Sequence, residues 1–399
     1  MLGSVAVRRP KTGGSPRLLL ALLPVLGLAG CGGGGGSPTT PPVPTPPPPG
    51  TSVTVVVFYD ENANGTLDGN ESVRVPGVVV DISGRTGTTA VQTGLATVQN
   101  VPDGTHTVNV RRESLPAYWE SGAAPSVTAP TTNEIRFPLT LPTGSNFRNL
   151  YMAFGDSITE GAGSSDDRGY PPWLEVQLEA HLGGDARMVT DGAGGTTSRQ
   201  GAVRLPGSLS RHRPAYTLIL YGTNDWWDDA CSGDVSSCFT ADAVRSMIGT
   251  ARSRDSLPVV GTIPPVNVGY DDRVPPDRNE DVQEVNQQIK AMAAAERVPV
   301  ADIYAAFTDV SPLSSLFDDH IHPNDRGYEI IAGEFLKAIT RASGTSSAGF
   351  GGVFLDLDAE FGLPGFHDVV VTDPAGAPAH RPAWAGETPA RARAALRRR

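Results

Sequence analysis

The apolar pattern of the chain changes character three times. Residues 18–28 are one unbroken apolar run. From Ser52 to Tyr59 the chain is β-branched and aromatic, the composition of a strand, and Val75–Ile82 and Thr105–Val110 look the same. Turn signals lie between them: Asn64-Gly65, Pro76-Gly77 and Pro102-Asp103-Gly104. No helical period appears over residues 51–144, so this segment is expected to fold as a small antiparallel β-sandwich. After Pro142-Thr143-Gly144-Ser145 the pattern alternates. Strands are expected at 150–154, 187–189, 216–221, 259–263 and 300–303. Helical periods cover 173–182, 197–209, 241–253, 281–297 and 326–341. Five strands, each followed by a helix, predict a parallel sheet covered on both faces. With right-handed crossovers this is an α/β fold, a flavodoxin-like three-layer α/β/α sandwich, over residues 145–343.

The apolar run at 18–28 is preceded by Arg8, Arg9, Lys11 and Arg17, with no acid in residues 1–30. It is too short to span a bilayer comfortably and has the form of a secretory signal. It ends in Leu28-Ala29-Gly30-Cys31, which resembles the lipobox of bacterial lipoproteins. The resemblance implies cleavage before Cys31, lipidation of its thiol and an anchor in the membrane of a bacterial cell envelope. Residues 31–50 hold 14 Gly or Pro, a composition that cannot pack and reads as a tether. The tail, 344–399, is rich in Gly, Ala, Pro and Arg and is expected to be disordered.

Composition narrows the function. The net charge of −11 disfavours nucleic acid as a partner, and because both termini are basic the segment between them is more acidic still. The three cysteines are Cys31, Cys231 and Cys238. In an oxidising envelope the last two suit a disulfide closing a short loop; in a reducing compartment they would be free thiols.

Chemistry concentrates at the predicted strand ends. The first strand runs into Gly155-Asp156-Ser157, and the second is followed by Gly192-Ala193-Gly194-Gly195-Thr196. The third ends in Gly222-Thr223-Asn224-Asp225, and the last helix is preceded by Asp319-His320-Ile321-His322-Pro323. Four such blocks in this order resemble the SGNH, or GDSL-type, hydrolases over about 150–340. The resemblance implies a serine esterase acting through an acyl-enzyme, with no cofactor for catalysis. Ser157 would be nucleophile, His322 base and then acid, and Asp319 the orienting carboxylate. The oxyanion would be held by the N–H groups of Ser157 and Gly195 and the amide of Asn224. Spacing alone leaves Asp318, Asp319, His320 and His322 ambiguous; the following Pro323-Asn324 selects Asp319 and His322 by family pattern. His320 is expected to be a solvated neighbour, and the other five histidines are expected at the surface. Thr190 stands where the family usually has Asn. Gly192-Ala193-Gly194 begins like a dinucleotide fingerprint, but Thr197 occupies the third glycine position and no acid follows about 20 residues later.

Trp226, Trp227, Asp228 and Asp229 follow the third block. The two indoles could stack on a sugar, line an acyl pocket or pack structurally. A short acyl group, such as acetyl, on a carbohydrate is the expected substrate. Lipase, lysophospholipase or thioesterase activity is the alternative on the same fold, and a surface glycan-binding adhesion protein is the alternative from another class. The sequence gives no oligomeric state.

The β segment itself resembles the B-type repeats of bacterial surface adhesins through Val57-Phe58-Tyr59-Asp60-Glu61-Asn62-Ala63-Asn64-Gly65 and Val101-Pro102-Asp103-Gly104. Within it, residues 60–71 fit a twelve-residue calcium loop. Asp60, Asn62, Asn64 and Asp68 supply side-chain oxygens, Thr66 its carbonyl and Glu71 the last carboxylate, so a structural Ca²⁺ is expected.

Overall fold

The computed structural model describes residues 50–228, 230–231 and 235–342. The signal, Cys31, most of the tether and the tail lie outside the described residues. The β module contains Thr51–Tyr59 (β1), Val79–Ile82 (β2), Arg85–Thr88 (β3), Leu95–Val101 (β4), Gly104–Val110 (β5), Glu120–Ser121 (β6), Ser126–Ala129 (β7) and Ile135–Thr140 (β8). They form two four-stranded sheets in the orders β4-β1-β8-β6 and β3-β2-β5-β7. Alternate positions meet between the sheets: Val53, Val55 and Val57 of β1, Val80 and Ile82 of β2, Ala96 and Val98 of β4, and Phe137 of β8. The sandwich is not wholly antiparallel, as the sequence had suggested. β1 and β8 run parallel, with Val55 opposite Ile135 and Tyr59 opposite Leu139. The long intervening chain permits this, since parallel neighbours need only a crossover of sufficient length.

The loop at 60–71 closes on itself. Asp60, 3% exposed, accepts the backbone N–H groups of Asn64 (3.1 Å) and Gly65 (2.7 Å). Glu71 accepts those of Glu61 (2.8 Å) and Asp68 (2.9 Å). Asn62 and Asn64 donate their amides to Asp68 at 2.8 and 2.9 Å, while their own carbonyl oxygens accept the N–H groups of Asn64 and Thr66. The side-chain oxygens of Asp60, Asn62, Asn64, Asp68 and Glu71 thus bond one another and the backbone. Among the described residues no group of three or more His, Cys, Asp or Glu is placed to hold a metal ion. The loop is thus a hydrogen-bonded hairpin, and nothing among the described residues supports the expected calcium site; the side chains that suit a cation also suit Asx turns.

The second part contains Phe147–Gly155 (β9), Ser157–Glu160 (α1), Pro171–Leu182 (α2), Arg187–Gly192 (β10), Ser198–His212 (α3), Pro214–Leu220 (β11), Thr240–Arg252 (α4), Leu257–Gly261 (β12), Arg278–Glu296 (α5), Val300–Ala301 (β13), Ile303–Thr308 (α6) and Asp325–Thr340 (α7). The strands order as β10-β9-β11-β12-β13, and all neighbours are parallel. Period-2 alternation sorts each strand between two helix layers. Tyr151, Ala153, Leu218 and Leu220 meet Leu174 and Leu178 of α2 and Ile331 and Phe335 of α7. Met152, Phe154 and Ile219 meet Leu205 of α3, Ile248 of α4 and Ile289 of α5. Helix starts follow local chemistry: Thr197 and Gln200 close a capping box on α3, and Asn324 caps α7. Several short elements depart from the sequence pattern, α1 directly after β9 among them. A short helix, α6, and a 3-10 turn at Leu313–Leu316 separate β13 from α7.

The two parts share one core. Tyr59, Val73 and Leu141 of the β module pack in the same cluster as Tyr151, Leu178 and Tyr216. The Tyr118 hydroxyl donates to the Pro258 carbonyl (2.7 Å). The N–H groups of Arg74 and Gln92 donate to the carbonyls of Leu182 and His181, which end α2. His181 is therefore buried rather than at the surface, and desolvation pushes its pKa down to about 4, so the imidazole is neutral. Replacing Asp60 by Ala should lower unfolding stability by about 1 kcal/mol, because the loop loses the buried carboxylate that accepts the N–H groups of Asn64 and Gly65. Urea denaturation measures this, and an unchanged midpoint would show that the loop is not held through Asp60.

Candidate active site

The carboxyl ends of β9, β10 and β11 and the segment before α7 converge. Ser157 follows β9 as the first residue of α1, where its N–H has no intrahelical acceptor. The approach is tight: a side chain at Gly155 would place its Cβ 2.0 Å from Thr159 Oγ1 and 2.4 Å from the Leu220 carbonyl. Ser157 Oγ lies 2.9 Å from His322 Nε2, and His322 Nδ1 lies 2.8 Å from Asp319 Oδ2. The other oxygen of Asp319 accepts the N–H groups of Ile321 (2.8 Å) and His322 (2.7 Å). Burial works to raise the Asp319 pKa. The hydrogen bonds from His322 and from these N–H groups outweigh it and hold the carboxyl below its ordinary range.

The loop after β10 passes beside the serine, since a Cβ on Gly194 would sit 3.7 Å from Ser157 Cβ. Gly195 has φ +71°, a left-handed conformation that costs glycine little. Asn224 ends the segment after β11; its Nδ2 donates to the Thr196 carbonyl (3.1 Å), which orients the amide. Asp225, with no exposed surface, accepts from Ser198 N (2.7 Å), Ser198 Oγ (2.6 Å) and Thr240 Oγ1 (2.5 Å). It thereby ties the starts of α3 and α4 to the Asn224 turn. Cys231 and Cys238 are disulfide-bonded beyond it, and Cys231 packs on Phe239 and Ala243.

His320 differs from the expected solvated neighbour. It is 6% exposed, and its carbonyl accepts the N–H of Asn267 (2.9 Å). The turn around Asp319 Oδ1 directs residue 320 inward and leaves residue 322 facing the serine.

Sequence reading missed Arg204. Its guanidinium bonds the Asp191 carboxylate, the Gly155 carbonyl (3.0 Å), the Asp191 carbonyl (2.9 Å) and the Tyr221 hydroxyl (2.8 Å), and lies 4.1 Å over the Phe154 ring. One cation on α3 thus holds the ends of β9 and β10 and the first residue beyond β11. Thr190, where the resembling family has Asn, is exposed, and the neighbouring Asp191 carries the local bonding. A lone arginine on a helix gives no pattern by which sequence could find it.

Residues 153–330 match the model of the GDSL-like Lipase/Acylhydrolase family, and this part of the chain has the SGNH/GDSL hydrolase fold. Esterase TesA of Pseudomonas aeruginosa is 36% identical over 74 residues, covering 18% of this chain and 36% of that protein. The match to TesA therefore spans about a third of that relative. Thioesterase 1/protease 1/lysophospholipase L1 of Escherichia coli is 24% identical over 189 residues, covering 47% of this chain and 82% of that protein. An acetyl xylan esterase structure from Geobacillus stearothermophilus aligns at 22% identity with TM-score 0.40, covering 48% of this chain and 94% of that one.

Asp156, 1% exposed, caps α1 through Oδ1, which accepts the Ile158 N–H (3.0 Å), while Oδ2 finds no partner among the described residues. Desolvation, joined by the nearby Asp225 charge, pushes its pKa up to about 7. From about pH 4, where a free carboxyl titrates, to about 7, the folded chain holds a proton that the unfolded chain has lost. Stability tied to Asp156 is full below about pH 4 and is lost as pH rises toward 7. Asp156→Asn should flatten the fall of melting temperature across this window; parallel curves for variant and parent would overturn the assignment.

Proposed function

We propose that the chain hydrolyses carboxylic esters of short acyl groups, acetyl above all, by an acyl-enzyme route at the bacterial cell envelope. The observation that carries this reading is the hydrogen-bonded chain from Ser157 Oγ through His322 to Asp319, at 2.9 and 2.8 Å. Ser157 attacks the ester carbonyl while His322 Nε2 takes the hydroxyl proton. Asp319 fixes the imidazole with its proton on Nδ1 and stabilises the imidazolium that forms. The oxyanion is met by the N–H groups of Ser157 and Gly195 and by one N–H of the Asn224 amide, the other being held by the Thr196 carbonyl. His322 then protonates the leaving alcohol. Water, deprotonated by the same nitrogen, cleaves the acyl-enzyme.

A carbohydrate ester is the preferred substrate. A second reading is thioester or lysophospholipid hydrolysis, which rests on the name of the Escherichia coli relative. The envelope location rests on the segment ending at Cys31 and on the Gly/Pro tether. Among the described residues no helix is long and apolar enough to cross a membrane.

With p-nitrophenyl acetate, Ser157→Ala should lower kcat about 10⁴-fold or more, and Asp319→Asn about 10³–10⁴-fold. Equal rates for parent and Ser157→Ala would overturn the esterase reading. Cys31→Ala should move the protein from the membrane to the soluble fraction on cell fractionation, and unchanged membrane association would overturn the anchor.

A further inference from the structure

Three exposed apolar side chains flank the His322 loop: Trp227 (59% exposed), Tyr270 (53%) and Val268 (38%). They come from two segments that both meet the site. Trp227 closes the turn that begins after Asn224, its N–H donating to the Asn224 carbonyl (3.3 Å). The segment carrying Val268 and Tyr270 is fastened to the other side. Asn267 donates its backbone N–H to the His320 carbonyl (2.9 Å) and its amide to the Asp319 carbonyl (3.1 Å). Between the two segments lies a cavity of about 100 Å³, lined by Trp226, Trp227, Val266, Arg273, Val274 and Ile321. Trp226 is buried, 7% exposed, with Arg278 5.6 Å over its ring; the two indoles therefore do different work.

We propose that this cleft, with Trp227 as its stacking platform, is the subsite for the alcohol part of the ester, and that it takes an uncharged sugar ring. The inference rests on the esterase reading. In that reading His322 delivers a proton to the leaving oxygen, so the leaving group lies on the His322 side of the serine, and Ile321 forms one wall of the cleft there. A sugar presents an apolar C–H face, which an exposed indole can cover, and hydroxyls on its rim, which planar charged groups bind well. The rim charges cancel. Arg273 is paired with Asp271, and Arg278 with Asp281 at 3.0 Å, so each guanidinium already has its carboxylate. An anionic ring would find no uncompensated cation, and the overall net charge of −11 would oppose its approach.

The test compares the full chain with Trp227→Ala and Trp227→Phe on acetylated xylo-oligosaccharide and on ethyl acetate, which has no ring. Trp227→Ala should raise KM for the sugar ester about tenfold with kcat changed far less, and the preference for sugar ester over ethyl acetate should fall by the same factor. Trp227→Phe should recover most of that preference, and Tyr270→Ala should lower it in the same direction. A preference unchanged within about twofold overturns the proposal, as does a shifted acyl-chain-length profile with sugar preference intact. A tenfold better rate on an acetylated uronic-acid oligosaccharide overturns the uncharged ring. Calorimetry with unacetylated xylo-oligosaccharide separates this failure from failure of the esterase reading. Binding by the parent that is lost in Trp227→Ala supports the subsite even if neither ester is cleaved, and no binding by the parent overturns it.

Discussion

Parallel strands that end together at one edge of a buried sheet leave carbonyls and polar turns where water is scarce, and these groups must be paired. Here three charged side chains meet that demand. Arg204 gathers the ends of β9 and β10 and the Tyr221 hydroxyl. Asp225 takes two donors from Ser198 and one from Thr240, fixing the turn that carries Asn224. Asp319 uses one oxygen to shape its own loop and the other to orient His322. The candidate site is a consequence of this pairing. The groups that satisfy the strand ends also hold Ser157, Asn224 and His322 in place. Removing one would leave a buried polar group alone as well as misplace a side chain, so stability and activity are coupled at this edge.

The β module bears on the same body from the opposite direction. Its residues cap the carbonyls at the end of α2 and share a core with β9 and β11, through Tyr59 and Tyr151 among others. The tyrosines at this boundary are costly to ionise: burial pushes the Tyr59, Tyr118 and Tyr216 hydroxyls upward. Such a boundary behaves as core rather than as a joint between independent domains. The loop at 60–71, read in isolation as a place for a cation, is in context part of this module's wall, with Glu61 accepting the Asn149 amide across the boundary (2.9 Å).

What was legible in the sequence was whatever repeats with a fixed period or sits at a fixed offset. Alternating strands and 3.6-period helices gave the parallel sheet and its two covering helix layers. The four short blocks gave Ser157, Gly195, Asn224, Asp319 and His322 as a set only through their resemblance to the SGNH hydrolases, since spacing alone left Asp318, Asp319, His320 and His322 equivalent. The sequence also determined that Cys231 and Cys238 are close enough along the chain to pair. It did not determine the partners of polar side chains. The same carboxylates at Asp60 and Glu71 suit a cation or a row of backbone N–H groups, and it is the folded loop that brings those N–H groups to them.

Tertiary structure alone decided which of several equivalent residues faces inward. His320 and His322 are two apart with the same chemistry, and the turn around Asp319 Oδ1 separates them. Trp226 and Trp227 are adjacent and chemically identical, yet one is 7% and the other 59% exposed. Arg204 carries no local mark at all, because its bonds run to residues 13, 17 and 49 positions away. Local propensity and periodicity act over a few residues, so they specify elements and their faces. The choice of partner for a buried charge is made across the chain, by desolvation that only the assembled sheet imposes.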